Sequence, residues 1–437
     1  MESAFVTSLL IVASLLLLLA SGVWIFASML VISIGGLFIL NDYSFLRIGA
    51  LMTSVQWRAM TSFELAALPL FVLMGEILFR TRLSEQIFLG LAPWLGWLPG
   101  RLLHVVIVAC GAFGAVCGSS TATCATISKI ALPELKRRGY DEGLSIGALC
   151  AGGTLGILIP PSVIMVIYAV AAEVSLIKLF IAGILPGIAL MLLFSGFIVV
   201  WSLLNPSKVP DGSIDMPFSE RFRALAHLGP VIALMTFIFG ALFAGWVTAT
   251  ECAAWGVLGA ILVAIHSGTF NWASFKESVR AAVRTSVMII ILVAAAGVMS
   301  SFMAVAGIPK AVAGAIGALQ LAPLALIALL VVVYTVLGMF LDGVSMVLLT
   351  LPVALPMVTG AGFDPIWFGV FLVVVIEMGA ISPPVGFNLF VLQNMTGRNV
   401  FTLGWMSLPF FLLMILLIAI IAVWPQLVMV LPGLYSN

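Results

Sequence analysis

Four short segments carry nearly all the polar and helix-breaking residues inside the long apolar stretches of this chain. Gly118-Ser119-Ser120-Thr121, with Thr123 close behind, is a dense run of hydroxyls beginning at a glycine. Asp342-Gly343, followed by Ser345, sets a carboxylate about midway along a second apolar stretch. Gly152-Gly153-Thr154-Leu155-Gly156 leads to Pro160-Pro161-Ser162, and Glu377-Met378-Gly379-Ala380-Ile381-Ser382 leads to Pro383-Pro384. Proline has no N–H and its ring clashes with the preceding turn, so a Pro-Pro pair after glycine unwinds a helix and frees carbonyls. Those carbonyls, with hydroxyls from a neighbouring tip, form an oxygen cage suited to a hard cation. A helix that starts at such a tip also offers its N–H groups and positive dipole end to a carboxylate. The chemistry in reach is ion and anion binding.

Each segment also has a plainer reading. A Pro-Pro pair can be a structural kink, and hydroxyls can be packing glue between membrane helices. Asp342 can cap the helix that follows it. Glu377 reads equally as an ion-site neighbour or as one half of a buried structural pair. Glu76 and Arg80 have the spacing of an i,i+4 ion pair. The ligand reading is preferred because four hydroxyls beside a glycine exceed what packing needs. Two Pro-Pro pairs in matching register exceed what kinks require. His104, His227 and His266 are far apart and are expected at membrane interfaces. Cys110, Cys117, Cys124, Cys150 and Cys252 lack metal-ligand spacing and read as buried small hydrophobes.

The elements that position these residues must be membrane helices. Of 437 residues, 63% are hydrophobic and 8% are charged, and the mean hydropathy is +1.29. An ordinary soluble domain has about 25% charged residues, so a soluble fold, disorder and a disulfide scaffold are all excluded. A net charge of +1 without a basic stripe excludes a nucleic-acid partner. The lipid bilayer is the partner that remains: this is an all-α polytopic membrane protein. Spans are expected near 3–20, 23–41, 61–80, 142–171, 176–204, 229–247, 250–267, 284–306, 365–395 and 401–430, each long enough for the bilayer core. Residues 3–20 lack a basic n-region and a cleavage site, and are expected to be a retained span. The stretches 102–136 and 323–360 each have a polar, glycine-containing interruption and are expected to be re-entrant helical hairpins. Irregular backbone at membrane depth needs protein or a wet cavity around it, so each tip should face a site. Stretches 81–92 and 272–283 read as interfacial helices.

With the N-terminus outside and both hairpins returning to their own side, 14 of the 18 Lys and Arg residues fall toward the cytoplasm. Only Arg47, Arg58, Lys178 and Lys310 fall outside. The positive-inside rule therefore favours hairpins over crossings and puts both termini on the periplasmic side. Residues 1–60 are read as N-terminal scaffold spans, 61–204 as a first repeat, 205–228 as a cytoplasmic linker and 229–437 as a second repeat.

The two halves match without a gap. Pro133, Gly139, Asp141, Gly156, Pro160, Pro161 and Pro186 recur 223 positions later as Pro356, Gly362, Asp364, Gly379, Pro383, Pro384 and Pro409. On the topology above the copies enter from opposite sides, an inverted repeat with two broken transmembrane helices. That is the build of secondary transporters. An enzyme is not expected. Tyr140-Asp141 sits at a membrane face, and no Gly-x-Gly-Asp, nucleophile elbow, P-loop or zinc signature is present.

Gly114-Ala115-Val116-Cys117-Gly118-Ser119-Ser120, Gly156 to Pro161, Gly338-Met339-Phe340-Leu341-Asp342 and Ser382-Pro383-Pro384-Val385-Gly386-Phe387-Asn388-Leu389 together resemble the large membrane subunit of tripartite ATP-independent periplasmic (TRAP) transporters, the dicarboxylate-transporter M-subunit type. The resemblance covers essentially the whole chain. Cys117 departs from it, standing where a serine is expected. The resemblance implies an elevator-type carrier with a scaffold and a transport domain. It implies sodium-coupled import of an organic acid, such as a C4-dicarboxylate or sialic acid, across a bacterial inner membrane. The implied partners are a small four-helix membrane subunit, expected as a separate chain, and a periplasmic substrate-binding protein. Na+ as coupling ion would be held by Ser119, Ser120, Gly153, Thr154 and Gly156 in one half, and by Asp342, Gly343, Gly379 and Ser382 in the other. The substrate would lie near Ser120, Thr121, Ser345 and Asn388. No cofactor is expected. The alternatives are a stand-alone ion-coupled organic anion carrier of the same superfamily, and a channel or non-transporting assembly subunit.

Overall fold

The computed structural model describes residues 13–14, 17–18, 21–210, 218–309, 311, 314 and 322–435. Most of the predicted span 3–20, part of the linker and Lys310 lie outside these residues. The described helices are α1 (Ile25–Ile39), α2 (Phe45–Met60), α3 (Phe63–Phe79), α4 (Leu83–Leu95), α5 (Leu102–Cys117), α6 (Ser120–Arg138), α7 (Glu142–Leu158), α8 (Val163–Ala171), α9 (Leu176–Leu204) and α10 (Phe218–Leu225). They continue as α11 (Gly229–Phe243), α12 (Ala249–His266), α13 (Trp272–Val305), α14 (Pro323–Gly338), α15 (Gly343–Gly360), α16 (Pro365–Ala380), α17 (Phe387–Thr396), α18 (Val400–Val423) and α19 (Gln426–Tyr435). No strand occurs among the described residues. Five of these helices are long and apolar enough to cross a membrane, and two bent pairs, α2 with α3 and α7 with α8, pass the same test jointly.

Both interrupted stretches double back. Drawn straight, residues 102–138 would extend about 55 Å at 1.5 Å per residue. Instead the Leu102 N–H, at the start of α5, donates to the Tyr140 hydroxyl just past α6, at 3.3 Å. In the second stretch the Tyr334 hydroxyl donates to Thr350 Oγ1 at 2.6 Å, although the two lie 16 residues apart. The first hairpin turns at Gly118, whose φ of 64° is left-handed, and the second turns through Met339–Asp342. The expected breaks are present as well. Pro160-Pro161 separates α7 from α8 with a 43° bend, Pro383-Pro384 lies between α16 and α17, and both Pro-Pro bonds are cis.

Residues 223 apart do the same local work. Ser119 caps α6 and Asp342 caps α15. Asp141 caps α7 and Asp364 caps α16. Gly139 and Gly362 both take positive φ, at 81° and 92°. Each hairpin packs against its own broken helix, α5 and α6 on α7, α14 and α15 on α16. The pairs also cross over: α6 meets α17, α15 meets α8, and α7 packs on α16. Beside this unit α12 and α13 each pack on α3, with α1 and α2 against α13.

Several boundaries differ from expectation. The predicted interfacial helix 272–283 and span 284–306 form one helix, α13, because no proline interrupts residues 272–305. It is about 51 Å long, more than the bilayer core, and its first turns carry Lys276, Glu277, Arg280 and Arg284. The predicted span 401–430 breaks at Trp424-Pro425 into α18 and α19. Residues 45–60, not assigned to any element from the sequence, form α2, bent by 52° from α3. His104 is 1% exposed, with Nε2 2.6 Å from the Pro99 carbonyl. The Glu76–Arg80 pair forms at 3.5 Å, and Arg80 also reaches Glu277 on α13 at 3.0 Å.

Candidate functional site

The hairpin tips sit against the broken helices because glycines let the backbones touch. A methyl group on Gly114 of α5 would lie 2.2 Å from Gly156 Cα of α7. One on Gly379 of α16 would lie 2.6 Å from Gly338 Cα of α14. Gly156 and Gly379 are repeat mates, and each half makes a similar close approach, shifted by one position on the hairpin helix. At the first tip, Cβ positions built on Gly153 and Gly156 face the Ser120 and Ser119 carbonyls, each at 3.2 Å. One built on Gly118 faces the Pro161 carbonyl at 3.0 Å. Backbone oxygens of tip and break thus lie at the glycine contacts, and oxygen donors of this kind suit a hard cation and not a soft one. No group of three or more His, Cys, Asp or Glu residues able to hold a metal occurs among the described residues.

The side chains at the first tip divide in two. Ser119 Oγ accepts the Ala122 N–H at 3.4 Å and lies 3.4 Å from Thr121 Oγ1, and both residues are half-buried. Thr123 is fully buried and donates to the Ser119 carbonyl at 2.7 Å. Ser120, buried, turns the other way. Its hydroxyl donates to Glu377 Oε2 at 2.7 Å and accepts from Asn388 Nδ2 at 2.9 Å. Asn388 Nδ2 also donates to the Cys150 carbonyl at 3.1 Å. Thr154, fully buried, bonds back to the Ala151 carbonyl at 2.6 Å.

At the second tip Asp342 caps its own hairpin. Its carboxylate accepts the Val344 and Ser345 N–H groups at 3.1 and 3.2 Å, and the Ser345 hydroxyl as well. Gly343 is required by packing, since a Cβ there would meet Ile164 of α8 at 2.5 Å and Ile376 of α16 at 2.7 Å. Ser382, buried in the second break, bonds the Met378 carbonyl at 2.7 Å.

Of the residues singled out from the sequence, Ser120, Gly153 and Asn388 lie together, as do Asp342 and Ser345. Among the described residues no hydrogen bond joins the first group to the second. Thr121 is the member of the expected substrate set that keeps partial exposure; Ser120, Ser345 and Asn388 are buried and engaged. Glu377, outside the ligand set read from the sequence, is central to the first group. Its signal was a carboxylate where its repeat mate is Thr154.

Two doubled-back hairpins, two Pro-Pro breaks and an outer surface rich in exposed Phe, Trp, Leu and Ile define an all-helical, multi-pass membrane protein. Over residues 12–427 the chain matches the family described as Tripartite ATP-independent periplasmic transporter, DctM component, and it belongs to that family. It is 30% identical over 377 residues to the C4-dicarboxylate TRAP transporter large permease protein DctM of Pseudomonas aeruginosa, covering 85% of this chain and 86% of that one. It is 29% identical over 378 residues to the sialic acid TRAP transporter large permease protein SiaM of Vibrio cholerae, covering 86% and 87%. The isethionate TRAP transporter permease protein DctMQ of Oleidesulfovibrio alaskensis is 30% identical over 386 residues, covering 87% of this chain but 60% of that longer protein. The fold is similar to that of the Alcanivorax borkumensis YdaH transporter, with a TM-score of 0.55 at 16% identity, covering 85% of this chain and 89% of that one. Proteins of this family are transporter permeases and not enzymes; they work with a substrate-binding protein and usually a small subunit.

Proposed function

We propose that this chain is the large subunit of a sodium-coupled importer of a carboxylate-bearing organic acid in a bacterial inner membrane. It would work with a periplasmic binding protein and a separate four-helix subunit. The observation that carries the reading is the pairing of two hairpin tips with two Pro-Pro breaks through matching glycine contacts. Such a pairing brings backbone oxygens of a hairpin tip near a helix interruption, which suits a cation, beside helix N-termini, which suit an anion. Sodium would be held by Ser119, Ser120 and the backbone of Gly153, Thr154 and Gly156 in one half. In the other it would be held by Asp342, Gly343 and the backbone from Gly379 to Ser382. The solute would lie near Thr121, between the tips, with Ser345 and Asn388 behind it. The two halves would be oppositely oriented in the membrane, and the hairpin unit would move against a scaffold that includes α3, α12 and α13.

The test is uptake into proteoliposomes holding this chain, its small subunit and the binding protein. Labelled C4-dicarboxylate, sialic acid, isethionate and ectoine serve as probes, because the curated relatives are named for these solutes. Accumulation of one probe that rises with an inward sodium gradient is expected. Accumulation indifferent to sodium would end the coupling claim, and no flux of any probe in any subunit combination would end the transport claim for these solute classes.

A further inference from the structure

The buried cluster at Glu377 ties the two halves together. Glu377 is 2% exposed, Ser120 4% and Asn388 0%. Ser120 opens α6 and Cys150 lies in α7, both in the first half; Glu377 lies in the last turn of α16 and Asn388 in the first turn of α17, both in the second. The hydrogen bonds among them join positions 257 and 268 residues apart in sequence. A hydroxyl and a carboxyl group at 2.7 Å form this bond whichever oxygen carries the proton. Pulling the first tip off the second broken helix would strand a hydroxyl, a carboxyl and an amide in an apolar interior, where buried polar groups without partners are costly. The second tip is held differently. Asp342 and Ser345 bond each other and the backbone of their own hairpin, and Gly343 meets α8 through the apolar Ile164.

We infer that Glu377 is a positioning residue whose hydrogen bond to Ser120 makes the first hairpin tip and the second broken helix move as one body. This rests on the transport reading for its purpose, but its geometry can be tested without transport. Cys117, the last residue of α5, lies beside the tip and is half-buried, whereas the other four cysteines are buried. Its rate of labelling by N-ethylmaleimide in the reconstituted complex reports on how often the tip opens.

Removing one partner of a buried hydrogen bond and leaving the other unsatisfied shifts an opening equilibrium by about five- to a hundredfold. Glu377→Ala is therefore expected to speed Cys117 labelling by about that factor, and Ser120→Ala by a similar one. The double variant should be no faster than the faster single one. Glu377→Gln, whose amide oxygen accepts the same hydroxyl, should stay within a few-fold of wild type, and uptake lost in Glu377→Ala should return in Glu377→Gln. Unchanged labelling in both alanine variants, independent multiplication of their effects, or Glu377→Gln behaving like Glu377→Ala would overturn the inference. If Glu377→Ala does not fold, Ser120→Ala against Glu377→Gln gives the same decision. A complex that takes up no probe would count against the transport reading while the labelling rates still decide this one.

Discussion

A glycine in open space and a glycine in backbone contact predict opposite signs for one substitution. Alanine is preferred over glycine inside a helix by about 0.8–1.0 kcal/mol. At Gly196 of α9 nothing lies within 4 Å of the new methyl group, so Gly196→Ala should gain most of that. At Gly379 the methyl would lie 2.6 Å from Gly338 Cα and 2.7 Å from its carbonyl carbon and oxygen. Those atoms are backbone, so relief requires α14 and α16 to separate. Overpacking costs about 1–3 kcal/mol, and contacts this short put the cost near the upper end. The net for Gly379→Ala is then a loss of about 2 kcal/mol. Each kcal/mol moves Tm by about 2–4 °C in a domain of 150–250 residues and by less in a longer chain. The expected result is a fall of a few degrees for Gly379→Ala and a small rise for Gly196→Ala, read by thermal unfolding of the detergent-solubilised protein. Equal rises in both would show that α14 and α16 are not in backbone contact, and the tip-to-break pairing would lose its footing.

Other substitutions separate roles that share a residue. Gly118→Ala should destabilise by about 1–2 kcal/mol, because the turn needs a left-handed φ of 64° that costs an L-residue about that much; thermal unfolding reads it, and Gly118→Asn should cost less. Asp342→Asn keeps an N-cap side chain on α15, whereas Asp342→Ala should lose about 1 kcal/mol of stability. If Asn lowers sodium-dependent uptake at unchanged Tm, Asp342 binds the ion; if both stability and uptake persist, its role is the cap. Arg398 pairs with Glu142 at 2.8 Å, both half-exposed, so Glu142→Ala should leave Tm almost unchanged, and high salt should erase what difference there is.

Much of the hairpin core was legible because its devices are backbone devices. Glycine at a left-handed turn, a Pro-Pro pair and a capping Ser or Asp state their geometry in the residue type itself. That is why Gly118, Pro160-Pro161, Pro383-Pro384 and Asp342 sit at the turns, breaks and cap that their chemistry requires. Helix ends without such markers were not legible. The run from Trp272 to Val305 changes from polar to apolar with no breaker, so composition suggested two elements where the backbone makes one. Side-chain partners were least legible. Nothing near Ser120 in sequence says that its hydroxyl points away from Ser119 and Thr121 to a carboxyl group 257 residues later.

The repeat mates also differ in one consistent way. The first copy has Ser119 where the second has Asp342, and Thr154 where the second has Glu377. The local role is nevertheless kept in both copies. Ser119 and Asp342 each cap a hairpin helix, and Thr154 and Glu377 each face inward from a broken one. The backbone shape is therefore shared, while both carboxyl groups belong to one copy. The second tip uses its own carboxyl group, Asp342, whereas the first tip meets the carboxyl group of Glu377 across from the second copy, through Ser120. The second copy thus holds both tips, its own through Asp342 and the first through the Glu377–Ser120 bond.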